Sequence, residues 1–176
     1  QTGATAQNIT FTGTSVLSMG PSVTFNGNFT SSTPGLLLSG CTFMGTADLT
    51  KTGASSDKGA GGNVFNGVTT ITNSGSSNLY SANSSPDTFN DALTVTNSGT
   101  GNIYLAYNSA GTVFGSTVSF NNNGSGSTNY TYVASLANAT ATFSNNVTID
   151  NSGSATNTRC YFASGSGSSV TFSSPV

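Results

Sequence analysis

The chain has 176 residues, of which only 5% are charged: three Lys or Arg against five Asp, with no Glu, His or Trp, for a net charge of −2. This excludes a basic surface for nucleic acid or for an anionic membrane, and the longest apolar run, Leu36-Leu37-Leu38, is far short of the roughly 20 residues of a membrane-spanning helix. Eleven Phe, six Tyr and many Val, Ile and Thr exclude a disordered chain, and solubility drawn from hydroxyls and amides points to an extracellular protein.

The first recognisable elements are short openings at Phe11-Thr12-Gly13 and Phe25-Asn26-Gly27, then a fuller copy from Phe43 that keeps Leu49 six residues on and Gly53 ten residues on. Four complete copies follow, opened by Phe65, Phe89, Phe114 and Phe143. Six residues after these stand Ile71, Val95, Phe120 and Ile149; eight after, Asn73, Asn97, Asn122 and Asn151; ten after, Gly75, Gly99, Gly124 and Gly153. A last opening at Val170-Thr171-Phe172 stops after a few residues, so the chain is expected to be one β-solenoid segment of a longer repetitive chain or filament.

The phenylalanine, the fourth and the sixth positions read as one face of a single strand and the fifth and seventh as the other, because strand side chains alternate. Gly and Asn at the boundaries are expected to supply corners of positive φ. A second apolar segment follows each Asn-Ser-Gly turn: Leu79-Tyr80, Ile103-Tyr104, Tyr130 to Val133, and Cys160 to Phe162.

The spacing between opening phenylalanines is 14, 18, 22, 24, 25, 29 and 29 residues. Units this short cannot bury an apolar face alone, whereas stacked units share a core and pair their strands in parallel. The fold class expected is therefore all-β, a parallel β-helix with coils of about 14–29 residues. Propeller blades of about 40 residues fit poorly, and a β-sandwich stays open from strand spacing alone. Phe65, Phe89, Phe114 and Phe143 are expected to form a buried column beside Ile71, Val95, Phe120 and Ile149, with Asn73, Asn97, Asn122 and Asn151 bonding coil to coil as a ladder.

Cys41 and Cys160 should lie about four to five coils apart at about 4.8 Å per coil, too far for a disulfide. The five aspartates fall at different motif positions, Asp57 and Asp87 in loops, and read as solvated surface charge rather than an acid/base pair. Without His and without a calcium-binding repeat, no metal or cofactor is expected, and no catalytic residue. Gly59-Ala60-Gly61-Gly62 lacks the sequel of a phosphate loop and reads as a flexible loop.

The run from Thr88 to Gly99, TFNDALTVTNSG, and the run from Gly101 to Gly111, GNIYLAYNSAG, are similar to the giant repetitive surface proteins of Bacteroidota-type bacteria. Ala6 to Thr10 and Phe43 to Ala54 resemble segments of the same repeat block. The resemblance implies type IX export to the cell surface and a fibre-forming, structural role. Partners would then be further copies or further coils, joined end to end, with a glycan or solid surface as the ligand of an adhesin. Exposed aromatics off the core columns, Tyr107 and Tyr130, would favour the adhesin. Ice binding would need a flat array of outward Thr; Thr70, Thr72, Thr94 and Thr96 supply part of one, broken by Asn121 and Asp150.

Overall fold

Short strands with one apolar face have to stack on copies of themselves, and the chain does so. In the computed structural model, which describes residues 6–174, it is a parallel β-solenoid with three strands per full coil and no helix among the described residues. The long-strand sheet stacks Ile9–Thr12, Phe29–Thr33, Ala47–Lys51, Thr69–Asn73, Leu93–Asn97, Val118–Asn122 and Val147–Asp150 in chain order. The phenylalanine sheet stacks Thr24–Phe25, Thr42–Phe43, Val64–Phe65, Thr88–Phe89, Thr112–Phe114, Thr140–Phe143 and Ser169–Phe172. The tyrosine sheet stacks Asp57–Lys58, Leu79–Tyr80, Ile103–Leu105, Asn129–Val133 and Thr158–Phe162. Leu17–Met19 and Leu36–Leu38 form a separate two-stranded sheet, which adjoins the tyrosine sheet at Asp57.

Every pairing is parallel, and the register Phe29↔Ala47↔Thr69↔Leu93↔Val118↔Val147 advances by 18, 22, 24, 25 and 29 residues. Length is added in the loops while the strands stay aligned. Phe25, Phe43, Phe65, Phe89, Phe114, Phe143 and Phe172 therefore stand directly over one another, with successive ring centroids 4.4–5.3 Å apart and planes within 16° of parallel. Ile71, Val95, Phe120 and Ile149 form the neighbouring column in the long-strand sheet.

Four details differ from the reading of the sequence. The stretch from the opening phenylalanine to the seventh position is two strands in two sheets, because the chain turns a corner immediately after the phenylalanine, as at Asn90-Asp91-Ala92. Both strands still point their apolar residues inward, so the alternation survives the corner. Phe11 does not open a coil: it lies in the long-strand sheet opposite Ser31, against the ring of Phe29. Ile149 is 44% exposed, because Val147–Asp150 is the edge strand of its sheet and no further coil covers its inward side. Finally, Gly59-Ala60-Gly61-Gly62 is no loose loop. Gly61 bridges Ser39 and Ser85 in the coils on either side, at φ 86°, and a side chain there would strike the Ser85 carbonyl.

The corners have specific causes. At the Asn-Ser-Gly corner a Cβ on Gly75, Gly99 or Gly124 would collide with the carbonyl of Gly53, Gly75 or Gly99 in the preceding coil. Glycine is required there for close approach of backbones; none of the three has the positive φ expected for a corner residue. Left-handed backbone occurs instead after the tyrosine strands, at Ala82, Ala106, Ala134 and Ala163, with φ between 48° and 55°. Ala82, Ala106 and Ala134 are fully buried, where the bend leaves room for one methyl group.

Phe89 is 1% exposed and sandwiched between Phe65 and Phe114. Phe89→Ala is expected to lower the free energy of unfolding by about 3–5 kcal/mol, read from denaturant midpoints. Phe172→Ala should cost clearly less, since Phe172 is 41% exposed and stacked on one face only, against Phe143, with Phe162 edge-on beside it.

Candidate functional site

The interior is not wholly apolar, and its polar residues occupy particular rungs. Asn73, Asn97 and Asn122 point inward and are buried at the end of the long strand, while Asn151 is exposed. They do not form a continuous side-chain ladder; Asn122 Nδ2 to Asn151 Oδ1, 2.8 Å, is the one such bond between successive members. Each instead donates to a backbone carbonyl in the next coil: Asn73 to Asn102, Asn97 to Tyr130 and Asn122 to Arg159, at 3.1–3.3 Å. Asn73 also closes its own corner, accepting from Gly75 N–H and donating to Ser77 O. The bond that Asn73, Asn97 and Asn122 share is the one to a backbone carbonyl around the bend, so the column works as corner staples.

In the coils before Asn73 the same position holds Thr33 and Lys51. Lys51 is fully buried, donates from Nζ to Gly53 O at 2.7 Å, and lies 3.9 Å from Oδ2 of the equally buried Asp57. Asp57 stands where Leu79 and Ile103 stand in later coils, and its Oδ2 accepts Leu36 N–H at 3.1 Å. Burial pulls the Lys51 ammonium below its usual value and pushes the Asp57 carboxyl up, against the opposing pull of each on the other.

Asp87 is also inside. It precedes Thr88-Phe89 as Asn63 precedes Val64-Phe65, and its Oδ1 accepts both the N–H and the Nδ2 of Asn63 at 2.9 Å, while Asn63 Oδ1 takes the N–H of Cys41 at 3.0 Å. Burial pushes its carboxyl up to about 6, with the Asn63 bonds pulling the other way. Asp57 and Asp87 are therefore not the solvated loop charges expected, because both sit in phase with inward positions of the strands. Asp87 and Ser81 also line a cavity of about 30 Å³, walled otherwise mainly by Leu36, Leu38, Leu79 and Ile71. Cys41 and Cys160 are both free, and burial raises both thiols, Cys160 to about 12. No group of three or more His, Cys, Asp or Glu among the described residues is placed to hold a metal ion.

Two outer faces carry ordered chemistry. On the long-strand sheet one row runs Thr10, Thr30, Asp48, Thr70, Thr94, Ser119 and Thr148, and the other Thr12, Ser32, Thr50, Thr72, Thr96, Asn121 and Asp150. Asp48 breaks the hydroxyl array in addition to Asn121 and Asp150.

The tyrosine sheet gathers all six tyrosines of the chain on its outer side. Tyr80, Tyr104, Tyr132 and Tyr161 stack in register, ring centroids 4.6–4.9 Å apart and planes within 12°. Tyr107 packs edge-on against Tyr80 and Tyr104, and Tyr130 against Tyr132 and Tyr161. Two of the three basic residues stand at the ends of the row. Lys58 Nζ lies 5.0 Å from the Tyr80 centroid and 5.1 Å from that of Tyr107, within cation–π range. Arg159 Nη1 donates to the Tyr161 hydroxyl at 2.9 Å. A groove of about 280 Å³ runs along Tyr104 and Tyr132 between Tyr107 and Leu136. Partial burial and the neighbouring phenols push Tyr132 up to about 12, and burial raises Tyr104 as well.

The repeat alignment contained this face, since Tyr80, Tyr104 and Tyr161 each follow an inward residue in the second apolar segment. Tyr107 and Tyr130, singled out in the sequence, flank the row; the four tyrosines of the row itself were the signal missed. No family model, curated protein or solved structure matches the chain.

The raised Asp87 carboxyl makes stability depend on pH. In the fold it holds its proton up to about pH 6, but when unfolded only to about 3.8. The folded state thus binds more protons between these values, and stability falls as pH rises through that window. At about 1.4 kcal/mol per pH unit, the loss is on the order of 3 kcal/mol. Asp87→Asn is expected to flatten the fall between pH 4 and 6 in denaturant titrations; an unchanged profile would show that Asp87 does not cause it.

Proposed function

We propose that the chain is an extracellular structural element of a bacterial cell surface, a fibre-forming repeat that acts without catalysis. The observation that carries this reading is the register: six successive advances of the long strand keep the strands aligned while the advance varies from 18 to 29 residues. An assembly built this way gains length one coil at a time, about 4.8 Å each, and further coils or copies joined along the axis would extend it without new chemistry. Its polar residues serve the stacking itself, as the asparagine staples do, and its solubility rests on hydroxyl rows rather than charge.

Antibodies raised against the purified chain should label intact cells of the organism that makes it and decorate surface fibres in electron micrographs. Labelling only after permeabilisation would refute the reading.

A second reading, an adhesin for glycans, is favoured by the tyrosine face. Its phenol edges repeat at one coil spacing, offering hydroxyls and apolar ring edges together with a cation at each end, a mixture suited to the polar rims and apolar faces of sugar rings. Binding on a glycan array that falls severalfold in Tyr104→Ala and Tyr132→Ala, but not in Thr94→Ala on the long-strand sheet, would favour the adhesin. Equal binding by all three variants would remove the tyrosine face from consideration.

A further inference from the structure

The buried pair at Lys51 and Asp57 has more order than an ion pair needs. Lys51 Nζ is fixed by the Gly53 carbonyl at 2.7 Å, Asp57 Oδ2 by Leu36 N–H at 3.1 Å, and the two charged atoms face each other at 3.9 Å with no hydrogen bond between them. The carboxylate is wedged against Gly35, where a Cβ would stand 2.5 Å from Oδ1. Both side chains are out of water, so the charged pair carries a desolvation cost that its loose geometry does little to offset. Elsewhere in this column the corner is tied locally: Thr33 donates to Gly35 O and Asn73 spans its own turn.

We propose that Lys51 and Asp57 condense without an added enzyme into an intramolecular amide, an isopeptide bond between Nζ and Cγ that clamps the 52–56 corner. Proton transfer from the ammonium to the carboxylate first gives a neutral amine and a neutral carboxylic acid, the direction in which burial pushes both groups. The Nζ lone pair then attacks Cγ, and the Leu36 N–H already on Oδ2 stabilises the negative charge that develops there. The N–C bond forms, the Cγ–Oδ1 bond breaks, and Oδ1 leaves as water with the acid proton and one proton from nitrogen. Nothing is oxidised or reduced. The product keeps both existing hydrogen bonds: the amide N–H donates to Gly53 O and the amide oxygen accepts from Leu36 N–H. It removes the only ion pair found among the described residues.

The test is the intact mass of the purified, folded full-length chain, followed by tryptic mapping. The expected mass is below that of the sequence by one water, trypsin should fail to cut after Lys51, and fragmentation should place the bond between Lys51 and Asp57. Lys51→Arg should have the full sequence mass, and Asp57→Asn should lose ammonia instead of water or stay unlinked. Dehydration that persists in Lys51→Arg would belong to a succinimide at an aspartate and would overturn the proposal. So would a wild-type chain that keeps its full mass after prolonged incubation at neutral pH while its circular dichroism shows β-structure. The wild-type mass and its tryptic map decide the proposal by themselves, so a variant that fails to fold leaves the answer intact.

Discussion

Parallel backbone hydrogen bonding along the solenoid axis is the interaction on which everything else in this molecule depends. Phe43 O accepts Asn66 N–H at 2.8 Å, Phe65 O accepts Asn90 N–H at 2.8 Å, Phe89 O accepts Gly115 N–H at 2.7 Å and Phe114 O accepts Ser144 N–H at 2.9 Å. Such a ladder fixes the rise per coil at the spacing of paired strands, and the side chains must accept it. A benzene ring over a benzene ring at 4.4–5.3 Å accepts it with offset stacking. At the Asn-Ser-Gly corner the same rise brings backbones together, and any side chain larger than hydrogen would be driven into a carbonyl. Phenylalanine and glycine columns are thus two answers to one distance.

The ladder also explains where polar residues are tolerated inside. A coil cannot shift to relieve one bad contact without breaking its hydrogen bonds to both neighbours, so the larger inward polar groups draw partners from their own coil or an adjacent one, while small hydroxyls such as those of Ser31, Ser109 and Thr112 are buried without a side-chain hydrogen bond. Asn97 reaches the Tyr130 carbonyl, and Asp87 takes two N–H donors from Asn63 one coil away. Where neither coil supplies a complete set, as for Asp57 beside the break in the tyrosine sheet, a lysine comes in from the asparagine column. The buried charged groups, Lys51, Asp57 and Asp87, all fall in the stretch where the tyrosine ladder begins.

Much of this was legible because stacking forces like positions to align. Phe65, Phe89, Phe114 and Phe143 announced a column, and parallel pairing in a solenoid followed from it. The corner after each phenylalanine was not legible, because period-two alternation continues across a bend that keeps the chain's inner side inward. Phe11 misled for a related reason: a Phe-Thr-Gly triplet satisfies the opening of the motif, yet the neighbouring Ile9 pairs with Phe29 and places Phe11 in the long-strand column. The burial of Asp57 and Asp87 was hidden by residue type. Phase was the better guide, since Asp87 occupies the place before Thr-Phe that Asn63 and Cys41 occupy in their coils. Ile149 shows the converse, a residue in core phase that is exposed because burial in a solenoid comes from the neighbouring coil.

The outer faces follow from what the interior leaves free. Alternation gives each strand an outward set of residues, and register turns each set into a row of nearly constant chemistry: hydroxyls on the long-strand sheet, phenols on the tyrosine sheet. Within the phenol row Tyr132 stacks between Tyr104 and Tyr161 at under 5 Å, and burial first, then these neighbours, raise its hydroxyl. The two cations sit at the ends of the row, where a ring face or a hydroxyl is available to them, as Lys58 over Tyr80 and Arg159 at the Tyr161 hydroxyl show. A globular domain of this size presents a patchwork surface; here one repeat unit sets the chemistry of an entire face. Any ligand that fits one coil of the tyrosine row meets the same contacts again in the next, so recognition would gain strength with the number of coils engaged rather than with the quality of any single site.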